Sequence, residues 1–143
     1  MKIAFDIDGV LADNTHWAPT VASWDDFIEA ISTSKPIPEP ITIAEALFAD
    51  NALIVNPHHI LFLTARPERC RKSTLEWLSN NIAIDLPINL DMRPNEIDRP
   101  NAEYKLERCL ELKPDLIFED DEEAAKLLRD NGFKVMLFLR RIE

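Results

Sequence analysis

Short apolar segments alternate with helical patterns along this chain, and that alternation confines it to a small set of folds. Residues Lys2–Ile7, Ile60–Leu63, Asp115–Phe118 and Phe133–Leu139 are apolar runs of strand length. Between them apolar residues recur at helical spacing: Leu75, Trp77 and Leu78 after Pro67, then Ala102, Leu106, Cys109 and Leu110 after Pro100. Both prolines suit a first helical turn, where a missing N–H costs nothing. A further helix from about Asp121 carries Ala124, Leu127 and Leu128 and stops at Asn131-Gly132, a C-terminal glycine signal. Strands without a polar face, separated by helices, predict a five-stranded, mainly parallel α/β sheet with helices on both faces.

At 143 residues the chain is expected to form one domain, residues 1–143, with a core large enough to need no disulfide. The weakly patterned part is 13–50, which we expect to be a small lid over the sheet edge. Within it, Ser23-Trp24-Asp25-Asp26 reads as a helix start before Phe27, Ile28 and Ile31. Lys35-Pro36-Ile37-Pro38-Glu39-Pro40 then breaks the chain ahead of a helix through Ala44, Leu47 and Phe48. The chain has two glycines, Gly9 and Gly132. Glycine-rich phosphate loops of the P-loop and dinucleotide-binding kinds are therefore excluded.

The chain holds 16 Lys plus Arg against 26 Asp plus Glu, a net charge of −10. Such a balance opposes loose binding along nucleic acid, which is driven by cation release from phosphates. Arg66, Arg69, Arg71 and Lys72 form one local basic run. Cys70 and Cys109 lack metal-ligand spacing and read as buried thiols. No apolar run is long enough for a membrane span and no signal-peptide pattern opens the chain, so a cytoplasmic location is expected.

The first strand ends in Asp6-Ile7-Asp8-Gly9. An ionised carboxylate inside an apolar strand is expensive unless a cation or donors meet it, so both aspartates belong at the strand's exit. Period-two geometry turns them to one side, where they can share a divalent cation. Thr64 and Arg66 close the second apolar strand, and Glu119, Asp120 and Asp121 follow Phe118. Lys105 is spaced three and four residues from Ala102 and Cys109, on or beside a helix's buried face. In open α/β sheets such strand ends converge on one ligand crevice. Asp6 would attack phosphorus there, Asp8 would protonate the leaving oxygen and later activate water, and Thr64 and Lys105 would hold phosphoryl oxygens. Magnesium would be held by Asp6 with Glu119 or Asp120.

In this order Asp6-x-Asp8-Gly9, Thr64, Lys105 and Glu119-Asp120 resemble the four motifs of the haloacid dehalogenase superfamily of phosphohydrolases. Trp24-Asp25-x-Phe27, Pro36-Ile37-Pro38, Leu63-Thr64-Ala65-Arg66-Pro67-Glu68, Met92-Arg93-Pro94, Asp98-x-Pro100 and Glu103-x-Lys105 are similar to the phosphatase domain of phage and bacterial polynucleotide kinase/phosphatases. The resemblance implies a Rossmann-like three-layer fold with a minimal cap and a magnesium-dependent phosphomonoesterase acting through an aspartyl-phosphate. It implies catalytic roles for Asp6, Asp8, Thr64 and Lys105, and metal contacts from Asp6, the Asp8 backbone carbonyl, Glu119 and Asp120. The expected substrate is a 3′-phosphate end of nucleic acid, met by Arg66, Arg93 and Arg99; Trp17 is read as packing, with a base-stacking surface as the alternative. No kinase part is expected in the chain. Val10 stands where the superfamily's phosphatases commonly carry Thr, and Asp120-Asp121 is an alternative fourth motif. Asp8-Gly9-Val10-Leu11-Ala12-Asp13 also resembles 5′(3′)-deoxyribonucleotidases, which act on free nucleotides. A degenerate domain that only binds phosphate or a partner is the non-enzymatic alternative.

Overall fold

The computed structural model describes residues 1–17, 21–50, 58–84 and 87–139. Its centre is β1 (Lys2–Phe5), flanked on one side by β4 (His59–Pro67) and on the other by β6 (Leu116–Glu119). Outside these lie β5 (Leu90–Arg93) and β7 (Val135–Leu137), giving the order β5-β4-β1-β6-β7 with every pairing parallel. The α/β architecture read from the alternation is thus the observed one. The strand without an apolar-run signal is β5, whose Leu90 and Met92 are buried while Asp91 and Arg93 are not. An edge strand needs only alternate apolar residues.

Period two assigns the two faces. Ile3, Phe5, Ile60, Phe62 and Phe118 point into one core, while Ala4, Leu61, Leu63 and Ile117 point into the other. Phe5 and Phe118 stack with ring centroids 4.4 Å apart. The first face is covered by α1 (Trp24–Ile31), α2 (Pro38–Asp50) and α3 (Arg71–Asn81), through Ile31, Ile41, Ala44, Trp77 and Leu78. The second face is covered by α4 (Asn101–Leu112) and α5 (Glu122–Asp130), through Cys109 and Leu128. Both cysteines are buried and free.

One local expectation is corrected. Pro67 does not open a helix: it ends β4 opposite Arg93, beyond a register shift, and a 3₁₀ turn at Glu68–Cys70 precedes α3. Its missing N–H falls where the ladder is already interrupted. Within the 13–50 segment, α2 buries Ile41 and Ala44 in the core of the first face. What stands beside the strand ends is the short antiparallel pair β2 (Ala12–Asp13) and β3 (Lys35–Pro36), with α1 between them. Ser23 caps α1 by accepting from the Asp26 N–H at 3.1 Å.

Gly132 has φ +89° and ends α5, where the chain turns toward β7. No atom crowds a Cβ built there, so backbone strain alone sets the cost of a side chain. Gly132→Ala should therefore lower unfolding free energy by about 1–2 kcal/mol, read from urea denaturation with an unchanged m-value.

Candidate active site

The strand order reverses at β1: the chain leaves it toward β4 and β5, then returns on the other side through β6 and β7. Crevices form at the carboxyl ends beside such a switch point. Asp6 sits one residue past β1, its N–H donating to the Phe118 carbonyl at 3.0 Å. Gly9, with φ +79°, closes a tight turn in which its N–H donates to the Ala12 carbonyl at 2.9 Å. The turn lifts Asp8 to the mouth while Asp6 stays 5% exposed.

Lys105 reaches in from α4 and is 6% exposed. Its ammonium lies 3.0 Å from Asp6 Oδ2 and 2.7 Å from Glu119 Oε2. Glu119 Oε1 accepts from the Asp120 and Asp121 N–H groups at 3.0 and 3.1 Å. Glu119 thus orients both Lys105 and the loop that presents Asp120. Burial pushes the Asp6 carboxyl well above the usual carboxylate range; Lys105 pulls it back, while Glu119, Asp8 and Asp120 push it further up. Burial opposes the Lys105 charge, but Asp6 and Glu119 more than offset it and hold the ammonium above its ordinary range.

One cation among these carboxylates leaves the cluster negative. Asp6, Glu119 and Asp120 each offer an oxygen within 4.8 Å of the others. Three hard oxygen donors around a charge deficit fit a hard divalent cation. The Asp121 carboxylate is engaged elsewhere, since its Oδ1 accepts from the Ala124 N–H at 2.8 Å and caps α5.

Thr64 lies in the C-terminal half of β4 and is 1% exposed. Its Oγ1 accepts from the Arg66 N–H at 3.1 Å, leaving its own proton to donate. Asp6, Asp8, Thr64, Lys105 and Asp120 all line one cavity of about 570 Å³. Asn101, at the start of α4, and the acidic start of α5 complete its wall.

The expected substrate arginines separate. Arg66 is buried, with Nε and Nη2 donating to Asp8 at 3.0 and 2.6 Å and Nη1 donating to Thr74 Oγ1 at 3.0 Å. The Phe27 ring covers it, with Cζ 5.8 Å from the centroid. Bound at all three nitrogens, Arg66 has no face for a flanking phosphate and instead fixes the Asp8 carboxylate plane. Arg99 pairs with Glu107. Arg93 ends β5, half-buried, with Nη1 donating to the Arg99 carbonyl and to Asn101 Oδ1 at 3.3 and 3.4 Å. Trp17 is buried and donates to Ser34 Oγ at 3.0 Å, so it is packing.

Sequence reading missed Asn14, Thr74 and Phe27 as site neighbours. Asn14 Nδ2 donates to Asp8 Oδ1 at 3.0 Å, and Thr74 and Phe27 hold Arg66. Asn14 and Thr74 lie six and eight residues from their partners and Phe27 meets Arg66 across the fold, and no period or motif in the sequence marks these contacts.

The two aspartates should respond oppositely to removal. Between the ordinary carboxylate pKa and its raised folded value, Asp6 holds a proton in the fold that the unfolded chain has released, so metal-free stability falls as pH rises through that window. Asp6→Asn should raise the metal-free melting temperature at pH 8 by about 2–4 °C and flatten this pH dependence. Asp8→Ala strands the buried Arg66 guanidinium and should cost about 3 kcal/mol, measured by urea unfolding. A destabilising Asp6→Asn would contradict this electrostatic account.

No family model and no curated protein matches the chain. Its fold is nonetheless that of solved phosphatase-like structures. A chain of the Pnkp1/Rnl/Hen1 RNA repair complex superposes with TM-score 0.72 at 18% identity, covering 96% of this chain and 42% of that one. The class C acid phosphatase from Bacillus anthracis gives 0.68 at 14% identity, covering 96% of this chain and 65% of that one. The same enzyme with tungstate bound gives 0.69 at 16% identity, over the same shares of both chains. The present chain therefore spans less than half the length of the repair-complex chain and about two thirds of the acid phosphatase.

Proposed function

We propose that the chain is a divalent-cation-dependent phosphomonoesterase working through an aspartyl-phosphate on Asp6, with 3′-phosphate ends of nucleic acid as substrate. The observation that carries the reading is the buried Asp6–Lys105–Glu119 cluster opening into the same cavity as Asp8, Thr64 and Asp120. Few arrangements other than phosphoryl transfer use a buried carboxylate beside a cation, a second carboxylate and a hydroxyl donor. The fold shared with a phosphatase and with part of an RNA repair complex supports it.

In the first step an Asp6 carboxylate oxygen attacks phosphorus and the P–O ester bond breaks, its electron pair leaving with the alcohol oxygen. Asp8 supplies the proton that this oxygen takes up. Arg66 and Asn14 keep Asp8 aimed from the mouth of the cavity. In the second step Asp8 removes a proton from water, whose oxygen attacks phosphorus. The P–O bond to Asp6 then breaks, regenerating the carboxylate and releasing inorganic phosphate. Lys105 and Thr64 donate to the phosphoryl oxygens throughout. Asp6, Glu119 and Asp120 would hold the cation, magnesium by the hardness of the donors, which would neutralise the charge gathered when phosphate enters.

Asp6→Asn should abolish turnover of p-nitrophenyl phosphate by about a thousandfold or more, with the protein still folded by circular dichroism. Substantial activity in that variant would end the mechanism. Chelation should silence the protein and magnesium should restore it. Asp120→Asn should raise the magnesium concentration needed for half-maximal rate far more than Asp121→Asn, whose carboxylate serves α5. On substrates, a 3′-phosphorylated oligonucleotide should be hydrolysed with a higher kcat/KM than a free nucleoside monophosphate. Equal values would move the assignment to a nucleotidase. An Asp8→Asn deficit of about a hundredfold on alkyl esters should shrink on aryl esters, whose leaving groups need less protonation.

A further inference from the structure

The cavity has walls of opposite character. Asp120, Asp121, Glu122 and Glu123 line it from the β6 and α5 side. A polyanion running out of the cavity on that side would meet four carboxylates within a few residues. On the opposite side, past the end of β4, Arg69 is exposed and makes its polar contacts to Asn95, the backbone N–H at 2.9 Å and Nε at 3.4 Å. Its guanidinium carbon lies 5.3 Å from the centroid of the Trp24 ring. Trp24 is 41% exposed, unlike Trp17 and Trp77, which are buried and donate their indole N–H groups to the Ser34 side chain and carbonyl.

A chain of contacts links Trp24 to Asp8. Its ring meets Phe27 edge-on at 5.5 Å, Phe27 covers Arg66, and Arg66 grips Asp8. The Arg69 guanidinium lies over the Trp24 ring, and with it there the indole is still 41% exposed, so part of the aromatic surface is accessible to a flat partner. A base has the flat π-face that such a ring accepts, and the adjoining phosphodiester has the charge that a neighbouring guanidinium accepts.

We propose that Trp24 and Arg69 form a subsite for the nucleotide next to the 3′-phosphorylated one, its base against the Trp24 indole and its phosphodiester on Arg69. The substrate strand then leaves the cavity over the ends of β4 and β5, away from the acidic wall. This rests on the reading of the cavity as a phosphomonoesterase site for nucleic-acid 3′ ends. It makes Trp24 and Arg69, rather than Arg66 or Arg99, the residues that separate an oligonucleotide from a small phosphate ester.

The test compares kcat/KM for a 3′-phosphorylated hexathymidylate with that for p-nitrophenyl phosphate in each variant. Trp24→Ala should lower the ratio of the two about tenfold, and Trp24→Phe should recover most of it. Arg69→Ala should lower the ratio about fivefold and reduce the slope of log(kcat/KM) against log salt by about 0.7 for the oligonucleotide. A binding measurement stands apart from catalysis. Titrating Asp6→Asn protein with the same oligonucleotide should quench tryptophan fluorescence, and the quench should vanish in Asp6→Asn/Trp24→Phe. A ratio unmoved by Trp24→Ala and Arg69→Ala, or a quench that survives loss of Trp24, would overturn the subsite. Absence of p-nitrophenyl phosphate turnover in the unaltered protein would instead overturn the catalytic reading, while the fluorescence titration would still decide whether Trp24 meets a base.

Discussion

The Lys105 ammonium, held between two buried carboxylates, is the contact on which the rest of the site depends. Asp6 follows β1, Glu119 ends β6 and Lys105 comes from α4, so three elements distant in the chain meet at one nitrogen. Loss of Lys105 would leave Asp6 and Glu119 buried without their cation, which costs far more than the two ion pairs themselves contribute. The cluster remains short of positive charge even when intact. That deficit, with an oxygen from each of Asp6, Glu119 and Asp120 within 4.8 Å of the others, fits a hard divalent cation.

A second layer, built around Arg66, couples the segment beyond β1 to the same chemistry. Arg66 holds Asp8 in the plane of its guanidinium, Asn14 adds a third donor, and Phe27 of α1 closes over the pair. Asn14 and Phe27 of α1 therefore hold Asp8 and Arg66 from outside the cavity lining. The same arrangement explains why an arginine at the end of β4 is buried: its charge serves Asp8, and contact with solvent phosphates would be lost as a result.

The same backbone arrangement in the solved neighbours, at identities of 14 to 18%, shows how little sequence a doubly covered parallel sheet demands. Any apolar side chain of suitable volume serves at most core positions. Residues at strand exits are constrained differently, because their side chains must meet across the sheet at hydrogen-bond distance.

Local pattern was enough to give the fold class and to mark residues that meet at the strand ends. Strand-length apolar runs alternating with helical spacing admit few architectures, and a carboxylate at a strand exit is legible because burial inside the strand is too costly. Asp6, Thr64, Lys105 and Glu119 were each readable in this way from local pattern. Tertiary structure alone decided what meets what. It brought Arg66 inward to Asp8 and placed Asp120 beside Asp6 and Glu119. It also buried Trp17, left Trp24 exposed beside Arg69, and gave β5 its place at the sheet edge. These outcomes turn on contacts between residues many positions apart, and local spacing carries no record of which side chain will reach a buried charge first.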